Sequence, residues 1–117
     1  MTHPLITAEQ HAQLLANGAA AEADEDFDPP PVVKLFTPDA NATWLLAWLD
    51  PEVADIAFGL CDLGLGYPEM GSVDLSEIAE VQGRLGLPVE RDLHFVGRKP
   101  LSAYASDAQR TRAIVTE

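Results

Sequence analysis

The apolar positions of this chain change period several times, and each change marks an element. Thr7 and Gln10 stand three apart, the spacing of a capping box, and His11, Leu14 and Leu15 follow on one helical face. Asn17-Gly18 reads as a stop, so the pattern predicts a short helix over 8–17. Residues 19–31, AAAEADEDFDPPP, are acidic and end in three prolines. They read as a flexible segment, either a mobile connection or an arm laid over the surface. Residues 32–37, VVKLFT, are β-branched and aromatic and end at Pro38-Asp39, a strand signature.

The run 43–49, TWLLAWL, fits two templates. Trp44 and Trp48 stand four apart, as on a helix, but the run is short, continuously apolar and bounded by Asn41 and Asp50-Pro51, as a buried strand would be. Strand is preferred because 56–63, IAFGLCDL, has strand character too, and DPEVAD between them makes a hairpin loop. Residues 64–72, rich in glycine, read as a loop of tight turns. Asp74 then serves as a helix N-cap with Glu77 as its box partner and Val73 with Ile78 as a hydrophobic staple. Leu75, Ile78, Ala79 and Leu85 supply a buried face, Arg84 lies in the last turn, and Gly83 or Gly86 ends the helix. Alternation over 89–96, VERDLHFV, predicts a fourth strand at an edge, and Leu101, Tyr104, Ala105 and Ala108 mark a C-terminal helix. The predicted fold is one α+β domain over 1–117. It has a four-stranded, mainly antiparallel sheet with one face against the helices near 75–85 and 101–110.

At 117 residues and 47% hydrophobic, the chain has material for a core without disulfides or metal. Its charge narrows the partners. The formal net charge is −12, and sixteen of the nineteen acids lie in residues 1–90 against only Lys34 and Arg84. Residues 91–117 are slightly basic. Phosphate contacts need dense Lys and Arg, so direct nucleic-acid binding is disfavoured, and anionic membrane likewise. The acid excess suits a basic partner or serves solubility. The single cysteine, Cys61, permits no intramolecular disulfide. No signal peptide and no apolar run near the ~20 residues of a membrane helix are visible, so the expected location is the cytoplasm.

Candidate chemistry is sparse. Cys61 with His94 and Asp92 could be imagined as a hydrolase site, but Cys61 sits in an apolar strand run, where a free cysteine acts as a small hydrophobe. His3, His11 and His94 lack metal-binding spacing, and DEDFD at 24–28 lacks the glycine and distal glutamate of a calcium loop. The glycines of 64–72 come without a Walker lysine and precede an acid-capped helix that would repel phosphate. The expectation is therefore no enzyme, no metal and no cofactor. Trp44 and Trp48, on one predicted face, are assigned to core packing or an interface.

Three stretches carry a family resemblance: VVKLFTPDANATWLL at 32–46, AFGLCDLGLGYPEMGSVDLSEI at 57–78 and LPVERDLHF at 87–95. The chain resembles small uncharacterised proteins, known only as a domain of unknown function, carried on bacterial plasmids and other mobile elements. The resemblance brings no catalytic residues. Its genomic company, joined to the charge, implies an inhibitor of a host nucleic-acid-targeting defence, of anti-CRISPR or antirestriction type, acting on a basic protein or nucleoprotein surface. An accessory or antitoxin-like partner of a co-encoded protein is the alternative. The acids expected to make contact are Asp50, Glu52 and Asp55 in the hairpin loop, Glu69 beside the glycine loop, and Asp74, Glu77 and Glu80 on the capped helix.

Overall fold

The computed structural model describes residues 5–116. In chain order it contains α1 (Ala8–Ala23), β1 (Val33–Phe36), β2 (Thr43–Leu49), β3 (Ile56–Asp62), β4 (Glu69–Asp74), α2 (Leu75–Ile78), β5 (Glu90–Arg91) and α3 (Leu101–Thr111). The strands form one antiparallel sheet in the order β4-β3-β2-β1-β5. The α+β class and the meander over β1, β2 and β3 are as the sequence predicts, including strand for TWLLAWL.

The sheet has five strands where four were expected. The added strand, β4, arises in the glycine-rich segment read as a loop. Gly64 and Gly66, with φ of 81° and 86°, make the turn, and the chain then pairs with β3 from Cys61↔Glu69 to Ile56↔Asp74. Glycine and serine are poor strand formers, so pairing with a strand already in place decides the conformation.

Nor do the helices share one face. Along β2, Trp44, Leu46 and Leu49 enter one core with Leu14 of α1 and Leu75 and Ile78 of α2. Leu45 and Ala47 enter another with Leu101, Tyr104, Ala105 and Ala108 of α3. Strand alternation puts these sets on opposite faces, so β2 is buried from both sides, which is why it reads as unbroken hydrophobic sequence. A register shift between Leu46 and Trp48 opposite β3 also separates the two tryptophans. Trp44 lies in the α1/α2 core, whereas Trp48 packs on the α3 side, stacked on Phe58 at 4.5 Å.

Helix α1 begins at the predicted capping box, with Gln10 N donating to Thr7 Oγ1 at 3.1 Å and Thr7 N to Gln10 Oε1 at 2.9 Å. It runs through Asn17-Gly18 to Ala23, six residues past the predicted end. Those two residues are docking contacts. Asn17 Nδ2 donates to the Ala47 carbonyl at 3.0 Å, and a Cβ on Gly18 would lie 1.9 Å from the Leu49 carbonyl oxygen. The alanines beyond them are strong helix formers. After α1, the acidic stretch crosses the α3 side of the molecule. Phe27 approaches Trp48 at 6.2 Å, and Asp28 caps α3 by accepting from Ser102 N at 3.0 Å and from Ser102 Oγ. Helix α3 has no side-chain cap of its own from Pro100, so Asp28 fills that role from 74 residues away.

Helix α2 is a single turn, and Ala79 and Leu85 are exposed. The predicted cap is present, with Ser76 N donating to Asp74 Oδ1 at 2.9 Å. The chain leaves the helix because Asp39 holds the following loop: its Oδ2 accepts from Leu85 N at 2.6 Å and Leu87 N at 3.3 Å. The predicted strand 89–96 shortens to Glu90–Arg91 at the far edge of the sheet, with Leu93 exposed.

Candidate functional site

The β2–β3 hairpin loop carries the first three predicted acids. Asp50 Oδ1 accepts from Glu52 N at 2.8 Å and Val53 N at 3.0 Å, folding the loop on itself. Asp55 closes it with φ of 67°, a conformation that Asp tolerates better than most residues. Val53, at the tip, is 53% exposed. The Asp55 carbonyl accepts from Leu75 N at 2.8 Å, tying the hairpin to the β4–α2 junction. Asp74 pairs with Ile56 across the sheet, and Glu77 and Glu80 follow on α2 and the turn after it.

Asp50, Glu52, Asp55 and Asp74 thus share one end of the sheet, with Glu77 on the helix that starts there and Glu80 further along the chain. Glu69 does not join them. It pairs with Cys61, five residues along β3, which places it about 16 Å away at strand spacing. Ion pairs between described residues join Lys34 to Asp92 and Lys99 and Arg110 to Asp107, and none involves Glu52, Asp55, Glu77 or Glu80. Sequence reasoning missed the apolar neighbour of this end. A groove of about 470 Å³ runs beside β4 and α2, with Trp44, Val73, Ile78 and Val81 in it and Asp74 and Glu77 on its rim.

The imagined nucleophile has no base beside it. Cys61 is half-buried on β3, and burial pushes its thiol up to about 11. Arg91 of β5 lies in the same row as Cys61, three strands and about 14 Å away through Leu35 and Trp44, and His94 follows it in the loop after β5. Asp92 accepts from His94 N at 2.8 Å and faces Lys34 Nζ at 3.6 Å. His3 lies outside the described residues, and among the described residues no group of three or more His, Cys, Asp and Glu could hold a metal ion. No helix of the described residues is long and apolar enough to cross a membrane.

A second, polar cleft of about 500 Å³ lies over β1 and β2, where the C-terminal segment returns to the sheet. Of its charged groups, Lys34, Asp62 and Asp92 are already engaged. Buried Asp62 accepts from Gly64 N at 2.8 Å and Ile114 N at 3.2 Å, and Lys34 Nζ donates to Thr116 Oγ1 at 2.9 Å. The bonds to Ile114 and Thr116 join residues 52 and 82 apart, and no local motif announces them. The cleft serves as a clasp for the C-terminal segment.

The fold and this surface define a small acidic α+β protein with a charged sheet end. The chain belongs to the family described as protein of unknown function DUF2958, whose model matches residues 5–115. No curated protein and no solved structure matches it.

Proposed function

We propose that this chain is a non-enzymatic binding module of a mobile element that occupies a basic surface on a host protein or nucleoprotein complex, in the manner of an anti-CRISPR or antirestriction inhibitor. The observation that carries the reading is the placement of Asp50, Glu52, Asp55 and Asp74 at one end of the sheet, with Glu77 and Glu80 following on and after α2, beside an apolar groove. An acidic surface of this kind competes with nucleic acid for a basic channel, and long-range attraction speeds the encounter.

The reading is tested by measuring DNA cleavage by a panel of restriction enzymes and RNA-guided nucleases with and without the purified chain. Inhibition of at least one nuclease, relieved by added salt, is expected. The comparison protein carries Glu52→Lys, Glu77→Lys, Glu80→Lys and Asp55→Asn, where asparagine keeps the positive φ. These side chains hold no hydrogen bond or ion pair with described residues, so folding is retained while the formal charge moves from −12 to −5. Exposed pairs contribute about 0.2–1 kcal/mol each, so the four changes together weaken binding roughly 4- to 1,000-fold. Undiminished inhibition by this variant, or no inhibition across the panel, overturns the proposal.

A further inference from the structure

Among the described residues two strands have an open edge, and they are built differently. On one side, β5 is two residues long and carries Arg91, the usual way of blunting an edge. On the other, β4 is six residues long, EMGSVD, with neither lysine nor proline, and none of its residues is buried. Its backbone phase follows from the hydrogen bond of Leu75 N to the Asp55 carbonyl, 2.8 Å, which points residue 75 toward β3. Alternation then turns Gly71 and Val73 toward β3 and the N–H and C=O of Met70 and Ser72 outward. Nothing lies within 4 Å of the position a Cβ would take on Gly71, so the sheet face above it is open to side chains of an added strand. The apolar groove with its Asp74 and Glu77 rim flanks this edge.

We infer that β4 is a docking edge for an extended basic segment of the partner protein, which adds to the sheet as a sixth strand. The inference rests on the binding-module reading and specifies its geometry. Strand addition draws affinity from main-chain bonds and selectivity from alternate side chains. Here one set of side chains enters the groove, and a cationic residue meets Asp74 and Glu77. A second copy of this chain is a poor occupant. Edge-to-edge pairing would bring Glu69, Asp74 and Glu77 of two molecules together, each molecule carrying −12. The partner segment therefore alternates Lys or Arg with β-branched residues.

The test titrates the isotope-labelled full chain with three blocked nonapeptides: KVKVTVKVK, its proline analogue KVKPTPKVK of equal charge, and EVEVTVEVE. The first is expected to bind and to slow amide exchange at Met70 and Ser72 at least tenfold at saturation. The proline analogue, unable to complete a ladder, is expected to bind at least tenfold more weakly, and the acidic peptide not at all. Equal binding of the two basic peptides without protection at Met70 and Ser72 overturns strand addition while leaving the acidic surface as a binder. Binding of the acidic peptide, or of none, overturns both readings. Protection of the same amides in the chain alone, with a dimer in sedimentation, replaces the basic partner by a second copy and also overturns the inference.

Discussion

Helix α1 is held to the sheet by a close approach that alanine cannot make, and Gly18→Ala measures it. Helix propensity alone favours the change by about 1 kcal/mol. The structure opposes it: the new Cβ would meet the Leu49 carbonyl oxygen at 1.9 Å. A carbon–oxygen contact needs roughly 3.3 Å, so α1 must retreat by about 1.4 Å there. Overpacking of this kind costs about 1–3 kcal/mol. The retreat also strains the bond from Asn17 Nδ2 to the Ala47 carbonyl, 3.0 Å and buried, worth about 1 kcal/mol. The net expectation is a loss of about 1–3 kcal/mol, or a fall in Tm of roughly 5–12 °C, read by urea unfolding and calorimetry. Ala16→Gly, at an exposed position of the same helix, should cost only its propensity difference of about 1 kcal/mol. A Gly18→Ala protein as stable as the parent, or more so, would refute the docking of α1 described here.

Other expectations follow from contacts that span the chain. Asp39→Ala leaves the exposed amides of Leu85 and Leu87 to water, costing about 0.5–1.5 kcal/mol and speeding hydrogen exchange at both positions. Asp28→Ala removes the distant cap of α3 and should cost about 0.5–2 kcal/mol by chemical denaturation. Hydrogen bonds from Lys99 and then Arg110 hold the Asp107 carboxyl below its ordinary 3.8, so its stabilisation is present above that unfolded value and lost as pH falls through the lower folded one. Asp107→Asn should accordingly flatten the acid limb of a Tm-against-pH curve. With its thiol pushed to about 11 from an ordinary 9.0, native Cys61 at pH 8 should react with iodoacetamide about 100-fold more slowly than in the unfolded chain. Equal rates would place Cys61 in a different environment.

What was legible in the sequence was local. The capping box at Thr7, the N-cap at Asp74, the three-strand meander and the buried face of α3 all rest on neighbours within a few residues, and all are present. The differences arise where a distant group overrides a local signal. Asn17-Gly18 resembles a stop because its packing against β2 is thirty residues away. Glu69–Asp74 resembles a loop because only β3 makes it a strand. The helix at Asp74 ends early because Asp39 captures the following loop. Of the seven predicted contact acids, Asp50, Glu52, Asp55 and Asp74 meet at one end because the hairpin and β4 share a register, and Glu77 and Glu80 follow along α2 and the turn after it. Glu69 falls away because β4 continues past the glycine turn, and the groove beside β4 was invisible because four different elements and loops contribute to it.

The acidic sheet end as a contact surface for a basic partner is tested most directly by covalent capture from its tip. A photo-crosslinking benzoylphenylalanine in place of Val53, 53% exposed between Glu52 and Asp55, is irradiated in host lysate and the attached peptides are sequenced. The account predicts adducts to segments rich in Lys and Arg, lost at high salt and absent when the crosslinker replaces Gln109 on exposed α3. Adducts of neutral or acidic composition, or the same adducts from both positions, would contradict it.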